Sequence, residues 1–260
     1  MKSKQAVFLD PSYDLYHKNG MFDLSNVIFN RDDQLLPFSN AKNYFEQNGI
    51  PTNTADYLLK NEICAELNYY YSFGALTYKK LLNRKDIIFK SFFIMEPVIL
   101  APVLYKLLPE LTRIFDNVFL HNTEGDGYSL KGVDQSKLRK IFWPMPYDSV
   151  LEEFWLNEDR KNKLVVINGN HNPKFRKPEL YSERIRAMSY LADFDFVDLY
   201  GRGWDKWYSK QALWPTYYLY LNKILKIYKG ECISKYEILS KYNFCLCFEN
   251  TPMKGYISEK

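Results

Sequence analysis

Short apolar runs alternate with segments of helical period along this chain, and that alternation confines it to the α/β class. Ala6 to Leu9, Phe89 to Met95 and Asn117 to Leu120 read as strands. Between them, Asn40 to Gln47 reads as a helix closed by Asn48-Gly49, with Ile50-Pro51-Thr52 entering the next extended piece. Pro102 to Ile114 carries Leu104, Leu107, Leu108 and Leu111 at helical spacing. Strands that alternate with helices predict a parallel sheet.

A polar stretch, Leu156 to Lys163, interrupts the pattern and reads as a linker; the alternation then restarts. Leu164 to Ile167 is a strand that ends in the turn Asn168-Gly169-Asn170. Pro178 to Leu191 is a helix with Tyr181, Ile185 and Met188 on one face. Phe196 to Tyr200 is a strand that ends at Gly201-Arg202-Gly203-Trp204. Ser234 to Tyr242 is a helix opened by the capping box Ser234-x-x-Glu237, and an apolar run from Phe244 to Phe248 reads as a buried strand. A chain of 260 residues fits two domains at a prior of ~150 residues each. The division falls at the linker, giving an N-terminal α/β domain over 1–158 and a second over 159–260.

Composition removes several function classes. A net charge of +4 is too small to imply nucleic-acid binding; it suits an anionic small molecule or a peripheral contact with an anionic membrane surface. No run reaches the ~18 apolar residues of a membrane span, and the apolar run near the N-terminus is too short for a signal peptide, so a cytoplasmic protein is expected. Cys245 and Cys247 alternate on one strand and share a face; with Cys64 and Cys232 they read as reduced thiols. His17, His121 and His171 lack metal-ligand spacing. The loop His121 to Gly127 lacks the ligand spacing of a calcium loop and the lysine of a phosphate loop, and reads as a plain polar loop after a strand. Leu221, Ile224, Leu225 and Tyr228 share a helical face with lysines interleaved, a pattern that suits contact with an anionic membrane but is explained more simply by ordinary packing of an amphipathic helix.

The segment from Phe244 to Lys260, F-C-L-C-F-E-N-T-P-M-K-G-Y-I-S-E-K, concentrates the chemistry. Glu249 and Asn250 fall at the carboxyl end of a strand, and Tyr256, Ser258, Glu259 and Lys260 fall where a helix is expected to begin. In open α/β sheets, ligands bind at those two places. An acid, an amide, a phenol and an ammonium converging there suit an anionic, hydroxyl-rich ligand such as a nucleotide sugar.

This segment resembles the signature of the α-1,3-fucosyltransferases of glycosyltransferase family 10, roughly F-x-L-x-F-E-N-[ST], a short loop, then Y-[IV]-[TS]-E-K. Val197-Asp198-Leu199-Tyr200-Gly201-Arg202 is similar to a further V-D-x-Y-G-R segment of that family, although a strand followed by a glycine turn explains it locally. The resemblance implies a GT-B-like fold, two Rossmann-like domains facing a cleft, the second of them incomplete in this chain. It implies an inverting transfer of fucose from GDP-fucose to a glycan hydroxyl, lipopolysaccharide-type or another oligosaccharide, with no obligatory cofactor and no metal.

It also implies site residues. Asn250, Tyr256, Glu259 and Lys260 match positions that hold the nucleotide sugar. Arg184, with Arg186 as the alternative register, matches an arginine that reaches the donor diphosphate. A cation ~4 Å from the leaving diphosphate contributes about 4 kcal/mol at an effective dielectric of ~20. Glu259 either accepts sugar hydroxyls or faces the cationic sugar. Glu96, at the end of a strand in F-F-I-M-E-P, matches a glutamate assigned as general base; inverting transfer requires such a base opposite the leaving group.

The chain stops where the helix after the Phe244 strand would begin. It is therefore expected to be a fragment or degenerate copy, poorly stable and without appreciable transferase activity. The alternative function is a non-catalytic nucleotide-sugar or glycan-binding remnant.

Overall fold

A computed structural model of the chain describes residues 3–142, 147, 149, 151–156, 159–171, 178–205 and 215–258. The architecture is α/β, and the chain divides into two compact units. The first comprises Met1–Pro146 with Met253–Ile257, and the second Tyr147–Pro252 with Ser258–Lys260.

The first unit runs β1 (Gln5–Pro11), α1 (Leu36–Gln47), β2 (Thr52–Thr54), α2 (Ala55–Leu59), β3 (Leu67–Phe73), β4 (Ile87–Phe93), α3 (Pro102–Lys106), α4 (Leu108–Ile114), β5 (Asn117–Leu120) and β6 (Leu138–Lys140). Its strands form one parallel sheet in the order β2-β1-β3-β4-β5-β6. The helix expected over Pro102 to Ile114 is two helices, because Pro109 lacks the N–H that a continuous helix would need there.

Both faces of the sheet are covered, and period-2 alternation sorts its residues between them. Ala6, Phe8, Tyr70 and Phe92 enter one core, while Val7, Leu9, Tyr69 and Tyr71 enter the other. Phe115 centres the larger core, its ring 5.3 Å from both Tyr78 and Phe92 and 5.5 Å from Phe89. Each such ring contributes about 1.5–3 kcal/mol through burial.

Strand β3 carries no apolar alternation that a sequence reading can detect. Its inward residues on one face are Asn68, Tyr70 and Ser72, each at 0% exposure. Asn68 bonds Ala65 and Asp86, and Ser72 donates to the Ala75 carbonyl, so the buried polar atoms are paired.

The second unit runs α5 (Glu152–Trp155), β7 (Lys161–Ile167), α6 (Tyr181–Ala192), β8 (Val197–Tyr200), α7 (Pro215–Leu219), α8 (Leu221–Ile227), α9 (Lys235–Leu239) and β9 (Tyr242–Cys245). Its strands form a parallel sheet in the order β8-β7-β9. Both sheets are compatible with a Rossmann-like arrangement. Ser234 caps α9, its Oγ accepting from the Glu237 N–H at 3.3 Å, which is one half of the expected capping box. On α8, Ile224 and Ile227 are buried, while Leu225 is exposed.

Two expectations change in this unit. The stretch read as a linker ends inside β7, which begins at Lys161. The strand expected to be buried, Phe244 to Phe248, is instead the edge strand β9 over Tyr242–Cys245. Tyr242 is buried there, while Asn243, Phe244 and Cys245 are exposed. An edge position leaves one side of a strand without a ladder partner, so apolar composition alone does not bury it. Among the described residues, no helix is long and apolar enough to cross a membrane.

Candidate functional site

In the second unit, chain order β7, β8, β9 becomes β8-β7-β9 in space, so strand order reverses at β7. The crevice outside the carboxyl ends of β7 and β9 is therefore the place where such sheets bind ligands. Glycine shapes its floor. Gly201 has φ +138°, and a Cβ there would lie 1.9 Å from the Asn168 carbonyl oxygen. The two loops are then locked by Asn170 N–H to the Arg202 carbonyl at 2.8 Å, Asn170 Nδ2 to the Gly203 carbonyl at 3.1 Å, and Trp204 Nε1 to the Asn168 carbonyl at 2.6 Å.

The turn after β9 is folded onto the start of α6. The Leu180 N–H donates to the Asn250 carbonyl at 3.1 Å, and Thr251 Oγ1 donates to the Pro178 carbonyl at 2.9 Å. Arg184 reaches back from α6, and its Nη2 donates to the Phe248 carbonyl at 2.9 Å. The side chain is 2% exposed and stacks over Tyr181, 5.4 Å from the ring centroid. Arg186 instead faces outward and pairs with Glu183. Of the two arginines, Arg184 is thus the one brought to the strand ends.

His171 follows the β7 turn. Partial desolvation of its ring, which stays open to solvent, and then the positive charge of Arg184 hold its imidazole below the ordinary range. The Glu249 carboxylate accepts from the Ser258 N–H at 2.6 Å and from the Ser258 hydroxyl at 2.8 Å, closing a loop from the E-N-T turn to the Y-I-S segment. Glu259 and Lys260 lie outside the described residues.

In the first unit, Glu96 lies just past the carboxyl end of β4. The peptide units around it are pinned: Tyr105 donates its hydroxyl to the Glu96 carbonyl at 3.0 Å, and His121 Nε2 donates to the Met95 carbonyl at 2.9 Å. The second bond fixes the Nε2–H tautomer of His121. The Glu96 side chain is open to solvent but flanked by protein, and that partial desolvation raises its carboxyl above the ordinary range.

Tyr256 packs edge-to-face on the His121 ring, with centroids 4.8 Å apart, and is 5% exposed. Its ring therefore supports the loop that carries Glu96. The polar loop after β5 grips this segment, with Asp126 accepting from the Lys254 N–H at 2.6 Å and Glu124 pairing with the Lys254 ammonium. The acids of that loop are used in this grip, as its plain reading allows.

Sequence reading missed one polar group. Strand order in the first unit reverses between β1 and β3, and there Asp10 lies at 0% exposure near the carboxyl end of β1. Tyr70 and Thr77 both donate to its Oδ2, and Oδ1 has no hydrogen-bond partner among the described residues. Burial first pushes its carboxyl up to about 7, and the nearby Asp56 and Asp14 add to that. The signal in the sequence was an acid ending the first apolar run. A separate hollow of about 550 Å³, walled by Lys106, Glu110, Arg113 and Asp134, contains none of the sequence-predicted residues.

Among the described residues, no group of three or more histidine, cysteine or acidic side chains is placed to hold a metal. No protein-family model matches the chain, and no curated protein matches it.

Proposed function

We propose that this chain belongs to an inverting glycosyltransferase that moves fucose from GDP-fucose to a hydroxyl of a glycan. In this reading the two α/β units are the two halves of a GT-B enzyme, the first serving the acceptor and the second the nucleotide sugar. The observation that carries it is the behaviour of the F-E-N-T turn. It follows the carboxyl end of β9 by three residues, on the side of the strand reversal, and is bound by Arg184 through Phe248 and by the residues leading into α6 through Asn250 and Thr251.

The Glu96 carboxylate takes the proton of the acceptor hydroxyl, and the acceptor oxygen bonds to the anomeric carbon. The bond from that carbon to the diphosphate oxygen breaks, and GDP leaves with the electron pair. A carboxyl raised by desolvation is a stronger base than an ordinary glutamate, which suits proton abstraction near neutral pH. Arg184 steadies the turn that faces the diphosphate and adds positive charge behind it; Lys260 is the second cation in this reading. Asn250 and Glu259 serve the sugar and the nucleotide, and Tyr256 acts through His121 on the Glu96 loop.

The test is calorimetric titration with GDP, GDP-fucose and other nucleotide sugars, followed by product analysis with a panel of oligosaccharide acceptors. Binding selective for GDP-fucose, with an inverted fucoside as product, is expected. Selective binding without transfer assigns the chain to a non-catalytic binding role. A folded chain that ignores GDP and GDP-fucose overturns the reading.

A further inference from the structure

Cys245 ends the edge strand β9 and Cys247 lies two residues beyond it, both exposed, with their Sγ atoms 3.5 Å apart. The sheet fixes that arrangement. Cys245 is in register with Val165 of β7, and the intervening Leu246 N–H donates to the Val165 carbonyl at 2.9 Å. With Leu246 held by the ladder, its two neighbours face the same way. The other cysteines differ: Cys64 is half-buried and Cys232 buried.

We propose that Cys245 and Cys247 form a reversible dithiol–disulfide modification site, with low-molecular-weight disulfides such as oxidised glutathione as the oxidant. Cys247 lies past the end of β9 with its Sγ 3.5 Å from that of Cys245, so the thiols close the remaining gap to an S–S bond of ~2.05 Å by bending the backbone after Cys245. One thiolate attacks a sulfur of the oxidised glutathione, forming a mixed disulfide and releasing one glutathione thiolate. The second cysteine, as its thiolate, attacks the protein sulfur of that mixed disulfide and releases the second glutathione. The dithiol thus loses two protons and two electrons, and the glutathione disulfide gains them. An exposed bond closing so small a ring is readily reduced again, unlike a buried structural disulfide. The site adjoins Phe248, whose carbonyl receives Arg184.

The experiment equilibrates the full chain in glutathione buffers of rising oxidised fraction, quenches with acid and maps tryptic peptides after alkylation. Cleavage after Lys241 and Lys254 places both cysteines in one peptide. Its expected fate is loss of two hydrogens and of both alkylation sites, reversed by dithiothreitol, while Cys64 and Cys232 stay alkylatable. In Cys247→Ser, Cys245 is expected to carry a glutathione adduct instead. Only glutathione adducts or inter-chain links on the unsubstituted peptide, at every buffer ratio, overturn the proposal. No nucleotide is present, so this outcome is independent of the GDP-fucose reading.

Discussion

The guanidinium of Arg184 and the main-chain carbonyl of Phe248, 64 residues apart in sequence, are joined by a hydrogen bond of 2.9 Å within the second unit. One residue of α6 therefore holds the backbone from which Glu249 and Asn250 project. Arg184→Ala removes a buried charged donor and leaves that carbonyl without it, at a cost of about 1.5–3 kcal/mol. Arg184→Lys keeps the charge but lacks the planar fork, and recovers only part. Faster amide exchange in α6 and after β9 is the expected signature. A matching loss of GDP affinity, measured by titration, is expected from the proposed donor site.

Glu96→Gln is expected to lower turnover by roughly two to four orders of magnitude, the scale of a general base, with donor affinity nearly unchanged. In the unsubstituted enzyme the base must be ionised. Because partial desolvation raises this carboxyl, kcat should rise with pH along a limb lying above the ordinary glutamate range. A pH–rate profile compared with that of the glutamine variant checks both points.

Asp10 makes stability depend on pH with a defined sign. Folded, the carboxyl keeps its proton up to about 7; unfolded, it releases it near the ordinary 3.8. Between those values the folded state binds more protons, so the stability this group contributes falls as pH rises, then levels off. The full difference is on the order of 4 kcal/mol, at ~1.36 kcal/mol per pH unit. Asp10→Asn keeps an acceptor for Tyr70 and Thr77 without the charge. It should flatten the profile and stabilise the first unit at pH 8, as urea titrations at several pH values would measure.

Gly201→Ala is expected to be severe. The added methyl would meet the Asn168 carbonyl oxygen at 1.9 Å, on a backbone at φ +138° that alanine rarely adopts. A loss of more than ~3 kcal/mol is expected, with the second unit failing before the first. Limited proteolysis that releases a resistant first unit would show this.

Much of the chain's local structure was set by its residue pattern. Asn117 to Leu120 is a strand with those same ends, Ala6 to Leu9 lies inside β1, Leu164 to Ile167 forms the second half of β7, and Phe196 to Tyr200 covers β8 with one residue more at its start. The helix after Ser234 begins where that serine caps it, although it ends at Leu239 and Tyr242 already belongs to β9. These features depend on neighbours within a turn or two of chain, so periodicity and capping residues suffice to specify them. The turn Glu249-Asn250-Thr251 follows β9 as expected, but the strand ends four residues before it, at Cys245. Strand β3 escaped notice because its inward Asn68 and Ser72 are polar, and only their distant partners make burial tolerable.

Residue pattern alone did not determine strand order, which is set by packing between segments far apart in sequence. The orders β2-β1-β3-β4-β5-β6 and β8-β7-β9 place the crevices, and the first of them brings Asp10 beside Tyr70 and Thr77. The same holds for Tyr256. In sequence it belongs to the polar segment after β9, whereas in the fold it is buried against His121, 135 residues away, with Met253 in the core of the first unit. A tyrosine offers both an apolar ring and a hydroxyl, and its local sequence does not decide which is used. The tertiary structure decides it, because burying the ring on His121 requires a surface that exists only once β4 and β5 have paired.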